Sequence, residues 1–74
     1  MTGLLAEMEL VPTYHPNVTC DGCLASPVSG SRFKCKTCEN FDFCERCFYH
    51  RRSHRHHAFN RIAEPGSAAV FAGT

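Results

Sequence analysis

The sequence contains no tryptophan, no long apolar run and no strong excess of either charge. No stretch approaches the roughly 20 apolar residues that a membrane-spanning helix requires, so we expect no membrane partner. Residues 1–10 carry Glu7 and Glu9 and no basic residue, which is unlike the basic leader of a secretory signal. We therefore expect a location in the cytoplasm and nucleus, where closely spaced cysteines are more often metal ligands than disulfides.

Long secondary-structure elements are also missing from the pattern. No run of three helical turns has a clean apolar stripe, and no strand pattern exceeds about six residues. A chain of 74 residues buries too little apolar surface to be comfortably stable by packing alone, and domains of this size usually depend on disulfides, metals or a partner. The six cysteines are therefore expected to hold the fold together.

The net charge is close to zero, at +1 with neutral thiols. Six thiolates holding two divalent zinc ions would bring it to about −1. Strong non-specific binding to nucleic acids depends on many contacts between positive side chains and phosphates. A net charge near zero therefore disfavours nucleic acid as the partner.

The cysteines form three pairs with identical spacing. Two residues separate the members of each pair, which are Cys20 and Cys23, Cys35 and Cys38, and Cys44 and Cys47. This spacing lets one tight turn direct both sulfurs at a single ion, while backbone amides of the turn donate hydrogen bonds to the sulfurs. The pattern predicts zinc as the cofactor.

Two closed tetrahedral zinc sites need eight ligands, which is two more than the cysteines supply. We predict that His54 and His57 supply the difference, with His56 as the main alternative and His50 less favoured. Only five residues separate Cys38 from Cys44, so a shared ion would close a very small loop. Interleaving avoids this, with the first and third pairs on one zinc and the second pair and the histidines on the other, although spacing alone does not decide it.

The remaining pattern predicts a small metal-stabilised α+β domain. Residues 31–36 predict a strand with Phe33 on one face, residues 44–51 a short helix with the Asp42 charge near its start, and residues 58–62 a closing strand. Pro65 and Gly66 suit the centre of a type II turn. The core is expected to consist of three phenylalanines, Phe33, Phe41 and Phe59.

Three regions follow from this distribution. We interpret residues 1–13 as a linker or flanking segment, in which an apolar face of a short helix would end at Pro12. Residues 14–62 form the zinc-binding domain, since they hold every cysteine and histidine. Residues 63–74 are a C-terminal turn and the start of a flanking segment, whose apolar stretch at 68–72 either packs back on the domain or begins a neighbouring one.

Four stretches of the middle region resemble a known family, the ZZ-type zinc finger. They are HPNVTCDGC at residues 15–23, GSRFKC at 30–35, FDFC at 41–44 and HAF at 57–59. The continuation to residue 67 is most similar to the ZZ fingers of very large ubiquitin ligases of the HERC-type HECT class and, less closely, of the Mind bomb ligases. The resemblance implies a cross-braced, two-zinc fold with a short antiparallel sheet and one short helix. It also implies four cysteines on one zinc, and two cysteines with two histidines on the other.

Several ZZ fingers recognise the free N-terminus of a protein, including histone tails, so the resemblance implies a peptide-binding module. Asp21 and Asp42 are the candidate acids for holding an α-ammonium group, which is positive at neutral pH. The family often has a further acid where this chain has Asn40, which favours a small first residue, as in a histone or SUMO tail. Leu24 is a candidate apolar contact for that residue.

Other functions remain open at this stage. The basic run at residues 51–57, beside Phe48 and Tyr49, is of a kind that binds nucleic acid, although metal would occupy some of its histidines. A structural or intramolecular docking role would bury the apolar stretch at 68–72 against a neighbour. Catalysis is disfavoured, because thiolates held by zinc are not free nucleophiles, and any ligase activity of a longer parent protein would lie outside these residues.

Overall fold

The computed structural model describes residues 13–74, so the helix predicted to end at Pro12 lies outside the described residues. Two small antiparallel sheets and one short helix make up the described part. In chain order the elements are β1 (Tyr14–His15), β2 (Val28–Ser29), β3 (Arg32–Cys35), β4 (Asp42–Cys44), α1 (Glu45–Tyr49), β5 (Phe59–Ile62) and β6 (Val70–Gly73). This architecture confirms the predicted small α+β fold.

The larger sheet has four strands in the order β4-β3-β5-β6. In β3, Phe33 and Cys35 are buried while Arg32 and Lys34 are partly exposed, which confirms the predicted alternation. Phe33 lies opposite Phe43 in β4 and opposite Arg61 in β5. The sheet therefore has one buried face, and it brings the second and third cysteine pairs to neighbouring strands.

Helix α1 begins directly after β4, with Cys44 as its N-cap residue and no side-chain capping hydrogen bond. Asp42 was expected to support the start of the helix by its charge, but its side chain makes no capping contact. It lies in β4 and forms an ion pair with Arg32 instead. The buried residue of the helix is Phe48. Its ring stacks on that of Phe33 with centroids 4.1 Å apart, so the helix covers the buried face of the sheet.

The core is small and mainly aromatic. Of the three predicted phenylalanines, Phe33 and Phe59 are buried and Phe41 is partly buried against them. The remaining buried apolar residues are Val28, Phe43, Phe48 and the metal-site cysteines Cys20 and Cys35. Two of the seven core residues are thus candidate metal ligands, so packing and metal binding are inseparable here.

The C-terminal stretch packs back on the domain. The backbone N–H of Ser67 donates to the carbonyl of Glu64 at 3.0 Å, and Gly66 has a φ of +84°, as the predicted type II turn requires. Strand β6 then pairs with β5 and leaves Val70 and Phe71 each 60 % exposed. None of the helices formed by residues 13–74 has the length and apolar character needed to cross a membrane.

Candidate functional site

The first and third cysteine pairs converge on one point. Cys20 and Cys23 lie on the turn that follows β1, whereas Cys44 ends β4 and Cys47 lies in α1. Their four Sγ atoms lie within 4.8 Å of one another, and we call them the four-cysteine cluster. The Sγ atoms of Cys23 and Cys44 are 3.9 Å apart. Four sulfurs about 2.3 Å from a tetrahedral zinc ion would be about 3.8 Å apart, so the donors fit zinc.

Backbone amides surround the most buried sulfur of the four-cysteine cluster. The N–H groups of Gly22, Cys23 and Cys44 donate to Cys20 Sγ at 3.3, 3.5 and 3.2 Å. Burial raises the pKa of the Cys20 thiol, but these donors outweigh it and lower the pKa to about 7. Burial and the neighbouring thiols raise the pKa of Cys47 to about 12. A cation between the four sulfurs would favour their deprotonation, because its charge offsets the repulsion between neighbouring thiolates.

The turn between Cys20 and Cys23 depends on Gly22. A Cβ atom at this position would lie 2.9 Å from Cys47 Sγ and 3.1 Å from the ring carbon Cε1 of Phe43. Both distances are shorter than ordinary van der Waals contact. The missing side chain thus allows the first cysteine turn to approach Cys47 in α1.

The second cysteine pair meets a histidine instead. Nδ1 of His57 lies 3.5 Å from Cys35 Sγ and 3.6 Å from Cys38 Sγ, and we call these three residues the mixed cluster. Zinc bonds of about 2.3 Å to sulfur and about 2.0 Å to nitrogen place such atoms about 3.5 Å apart in a tetrahedron. The donor set fits a second zinc ion, with Nδ1 as the imidazole atom that faces it.

The predicted fourth ligand, His54, lies beside the mixed cluster. Its ring centroid is 4.7 Å from that of His57 and 3.8 Å from that of Phe41, on which it stacks. Its Nδ1 is 3.2 Å from the hydroxyl of Ser53. His56 is exposed. The choice of His54 over His56 as the fourth ligand stays a prediction.

The two clusters are interleaved along the chain. Along the chain, Cys35 and Cys38 of the mixed cluster lie between the Cys20–Cys23 pair and the Cys44–Cys47 pair of the four-cysteine cluster. His57 of the mixed cluster follows Cys47. This is the cross-braced arrangement that spacing favoured without deciding. Two separate zinc ions are therefore consistent with the described side chains.

A polar cavity of about 230 Å³ lies next to the four-cysteine cluster. We call it the acidic cavity, and its lining consists of Asn17, Val18, Thr19, Asp21, Arg32, Asn40 and Asp42. Asp21 and Asp42 are joined through their backbones and one side chain. The N–H of Asp21 donates to the carbonyl of Asp42, and the N–H of Asp42 donates to Oδ2 of Asp21, each at 2.8 Å.

The two acids have different surroundings. Asp21 is exposed, whereas Asp42 is only 6 % exposed. Oδ2 of Asp42 accepts a hydrogen bond from Nε of Arg32 at 2.6 Å. The two carboxylates are therefore not equivalent, since one faces solvent and the other is held in an ion pair at the side of the cavity.

Sequence reasoning missed Arg32 as part of the cavity. The sequence carries no signal for it, because the contact depends on the register of two adjacent strands, in which Arg32 opposes Cys44 and Lys34 opposes Asp42. Diagonal neighbours on one face of a sheet are within reach of a long side chain. The predicted contact residue Asn40 does line the cavity, whereas Leu24 is 74 % exposed and is not part of its lining.

The surface proposed for nucleic acid is also changed by the fold. Phe48 is buried, and the guanidinium of Arg51 lies over its ring at 4.3 Å from the centroid. Arg51 also donates from NH1 to the carbonyl of Phe48 at 2.8 Å. One aromatic and one arginine of the predicted stacking surface thus serve the fold, and Tyr49 is the aromatic that stays exposed.

Comparison with known proteins supports the same interpretation. A family model described as "Zinc finger, ZZ type" matches residues 14–58. The E3 ubiquitin-protein ligase HERC2 of Homo sapiens is 61 % identical over 72 residues, which cover 97 % of this chain and 2 % of that protein. The E3 ubiquitin-protein ligase mind-bomb of Drosophila melanogaster is 40 % identical over 52 residues, covering 70 % of this chain and 4 % of that protein. The chain thus spans a small part of these relatives.

Two solved structures have the same fold. The crystal structure of the HERC2 ZZ domain in complex with a SUMO1 tail matches with a TM-score of 0.69 and 55 % identity, covering 72 % of this chain and 91 % of that one. The structure of the HERC2 ZZ domain in complex with a histone H3 tail matches with a TM-score of 0.66 and 55 % identity, covering 69 % and 91 %. The cysteine spacing, the interleaved clusters, the matched family model and these structures agree, and the chain belongs to the ZZ-type zinc finger family.

Proposed function

We propose that this domain binds the free N-terminal tail of a partner protein, with its α-ammonium group held in the acidic cavity. The observation that carries the proposal is the exposed carboxylate of Asp21 at the mouth of a cavity fixed by the four-cysteine cluster. An ammonium group and a carboxylate form charge-assisted hydrogen bonds, which are shorter and stronger than neutral ones.

The hydrogen bonds around Asp21 support this role. Its Oδ2 accepts from the backbone N–H of Asp42, which fixes the orientation of the carboxylate. No hydrogen bond to its Oδ1 is formed within residues 13–74, so this oxygen is free to accept from the ammonium group. Asp42 contributes a second negative charge at short range, although Arg32 offsets much of it.

The preferred tail begins with a small residue. The cavity is about 230 Å³, and Asn40 brings an amide where a carboxylate would be needed to pair with a long basic side chain. The ion pair between Arg32 and Asp42 further lowers the negative potential. A tail lying along residues 17–19 would also contact the backbone that precedes Cys20. Contact with Leu24 stays a prediction.

The relatives support a tail as the ligand. The HERC2 ZZ domain, 55 % identical to this chain in the aligned region, has been crystallised with a SUMO1 tail and with a histone H3 tail. We transfer this ligand class to the present chain as part of the proposal.

The proposal assigns binding, and no chemistry, to these residues. Zinc supplies structural stabilisation here, since the predicted ligand set closes both sites. We further propose that the domain serves a ubiquitin ligase, whose catalysis lies in other parts of the protein. The predicted location in the cytoplasm and nucleus is consistent with histone and SUMO tails as partners and stays a prediction.

The test is a titration of the domain with short peptides that begin with alanine and carry either a free or an acetylated amino terminus. We expect binding of the free form and loss of binding after acetylation. The Asp21→Asn variant should lower the affinity for the free peptide by about tenfold or more, as loss of a charged hydrogen bond implies. The matched control is Glu39→Gln, which removes an exposed acid outside the cavity. Equal binding of both peptides, at two zinc ions per chain, would refute the proposal.

A further inference from the structure

A second cavity, larger than the acidic cavity, also borders the first cysteine turn. It has a volume of about 420 Å³ and is lined at its base by Gly22, Phe43 and Cys47. Asp21 lines the acidic cavity, whereas its neighbour Gly22 lines this one. Its volume is within the range of small-ligand and side-chain pockets, and its base is apolar because Gly22 has no side chain and Phe43 presents a ring.

The rim of this cavity is basic. Its lining includes His50 and the arginines Arg46, Arg51 and Arg52, and among residues 13–74 no carboxylate lines it. We call it the basic cavity. Within residues 13–74 the one ion pair joins Arg32 and Asp42, so no described acid neutralises Arg46 or Arg52. The carboxylate of Glu45 points instead towards Gly30 in the turn between β2 and β3, where its Oε1 lies 3.9 Å from the position of an added Cβ.

We propose that residues 1–12 of this chain dock in the basic cavity. This segment contains Glu7 and Glu9 and no lysine or arginine, so its side-chain charge is opposite to that of the rim. It is also rich in apolar side chains that match the base of the cavity, namely Leu4, Leu5, Met8, Leu10 and Val11. A short segment with both features is what a basic rim around an apolar base would select.

The path of the chain brings this segment close enough. The carbonyl of Thr13 accepts a hydrogen bond from Gly30 N–H at 2.7 Å. Gly30 in turn lies beside the Glu45 side chain, and Arg46 is the next residue of α1. Residue 13 is therefore held near the start of the helix whose outer face forms the rim. Twelve residues span up to about 40 Å when extended, so the reach is ample.

Docking would give the two cavities beside the first cysteine turn different accessibility. The Gly22 side would be covered by the segment of the same chain, and the Asp21 side would stay open. This docking does not depend on the proposed tail binding, because the two cavities share none of their lining residues.

A charge swap in the full chain tests the proposal. The first variant is Glu7→Arg with Glu9→Arg, the second is Arg46→Glu with Arg52→Glu, and the third combines all four changes. The readout is the amide chemical shifts of Gly22 and Phe43, which line the cavity and are not sequence neighbours of any substituted residue. In both double variants we expect the amide shifts to differ from those of the wild-type chain and to stop depending on salt concentration. In the combined variant we expect the shifts to return to their wild-type values.

One control variant accompanies the charge swap. Arg55→Glu changes an exposed arginine outside the basic cavity and should leave the amide shifts of Gly22 and Phe43 unchanged. Unchanged shifts in the Glu7→Arg, Glu9→Arg variant would overturn the proposal. So would a result in which the combined variant behaves as the sum of two independent perturbations, because the segment and the rim would then not be in contact. Binding of an added glutamate-rich peptide by the wild-type chain, at the same amides and with the same affinity as by the Glu7→Arg, Glu9→Arg variant, would assign the cavity to a separate acidic partner instead.

Discussion

Nε of Arg32 lies 2.6 Å from Oδ2 of Asp42, across the strand pair at the side of the acidic cavity. The side chain of Asp42 is 8 % exposed and that of Arg32 is 25 % exposed, so the pair is partly shielded from water. It fixes one of the two acids of the cavity and sets the net charge that a ligand meets.

Replacing Arg32 by methionine should therefore have two effects. The free energy of unfolding of the zinc-loaded domain should fall by about 2 kcal/mol, because a largely buried carboxylate loses a charged partner. The cavity also gains one unit of negative charge, so peptides with a basic first residue should gain affinity relative to peptides that begin with alanine. Denaturant unfolding with zinc in excess measures the first effect, and competition between the two peptides measures the second. An unchanged peptide preference would show that Arg32 does not tune the cavity.

Gly22→Ala should weaken the four-cysteine cluster. The added Cβ would lie 2.9 Å from Cys47 Sγ, so either the turn or the helix has to move away from the metal. We expect a lower zinc affinity at this site, measured by competition with a chromophoric chelator. The comparison variant is Gly66→Ala, whose Cβ meets nothing within 4 Å although its φ is +84°. That variant should lose about 1 kcal/mol through backbone strain and keep both zinc ions. Equal zinc affinities in the two variants would contradict the steric interpretation.

The fourth ligand of the mixed cluster can be identified by substitution. We expect His54→Ala to lower the zinc content from about two to about one ion per chain, and His56→Ala to leave it unchanged. His54→Phe separates ligation from packing, because it keeps a ring to stack on Phe41, whose centroid is 3.8 Å away in the native chain, but has no ring nitrogen. Elemental analysis gives the answer. Two zinc ions retained by His54→Phe would assign His54 to packing and leave His56 as the ligand.

Removal of zinc should unfold the domain. Structural zinc contributes about 10 kcal/mol or more of folding free energy per site, and among residues 13–74 the core has seven buried apolar residues, two of them candidate ligands. We expect a strong chelator to abolish the near-ultraviolet signal of the tyrosines and the dispersion of amide chemical shifts. Addition of zinc should restore both. A native spectrum that persists in chelator, with zinc absent by elemental analysis, would contradict this account.

Much of the fold was predictable because metal-binding spacing is a local property of the sequence. The three cysteine pairs and the alternation around Phe33 predicted two clusters and a central strand, and the described structure contains both. The Pro65–Gly66 pair predicted a turn that Gly66 confirms with its positive φ. In each case the signal is a short run of residues, namely the spacing within a cysteine pair, the alternation around Phe33 or the Pro65–Gly66 pair, so a local pattern carries the prediction.

The parts that could not be predicted depend on contacts between distant segments. Arg32 and Asp42 meet only because β3 and β4 pair in one register, and a shift of one residue would turn their side chains to other faces. For the same reason, the sequence could not predict that β6 pairs with β5, since residues 68–72 suit either an internal strand or a contact with another domain. The burial of Phe48 beside the exposed Tyr49 likewise depends on which face of a five-residue helix meets the sheet.

The interleaving of the two clusters also bears on how the domain fills with metal. An ion in the four-cysteine cluster closes the loop that contains Cys35 and Cys38, and an ion in the mixed cluster closes the loop that contains Cys44 and Cys47. Each ion thereby shortens the segment that the other has to order, which lowers the entropic cost of the second binding event. Half-filled molecules should consequently be scarce at any zinc concentration, and the population should divide between empty, unfolded chains and complete domains.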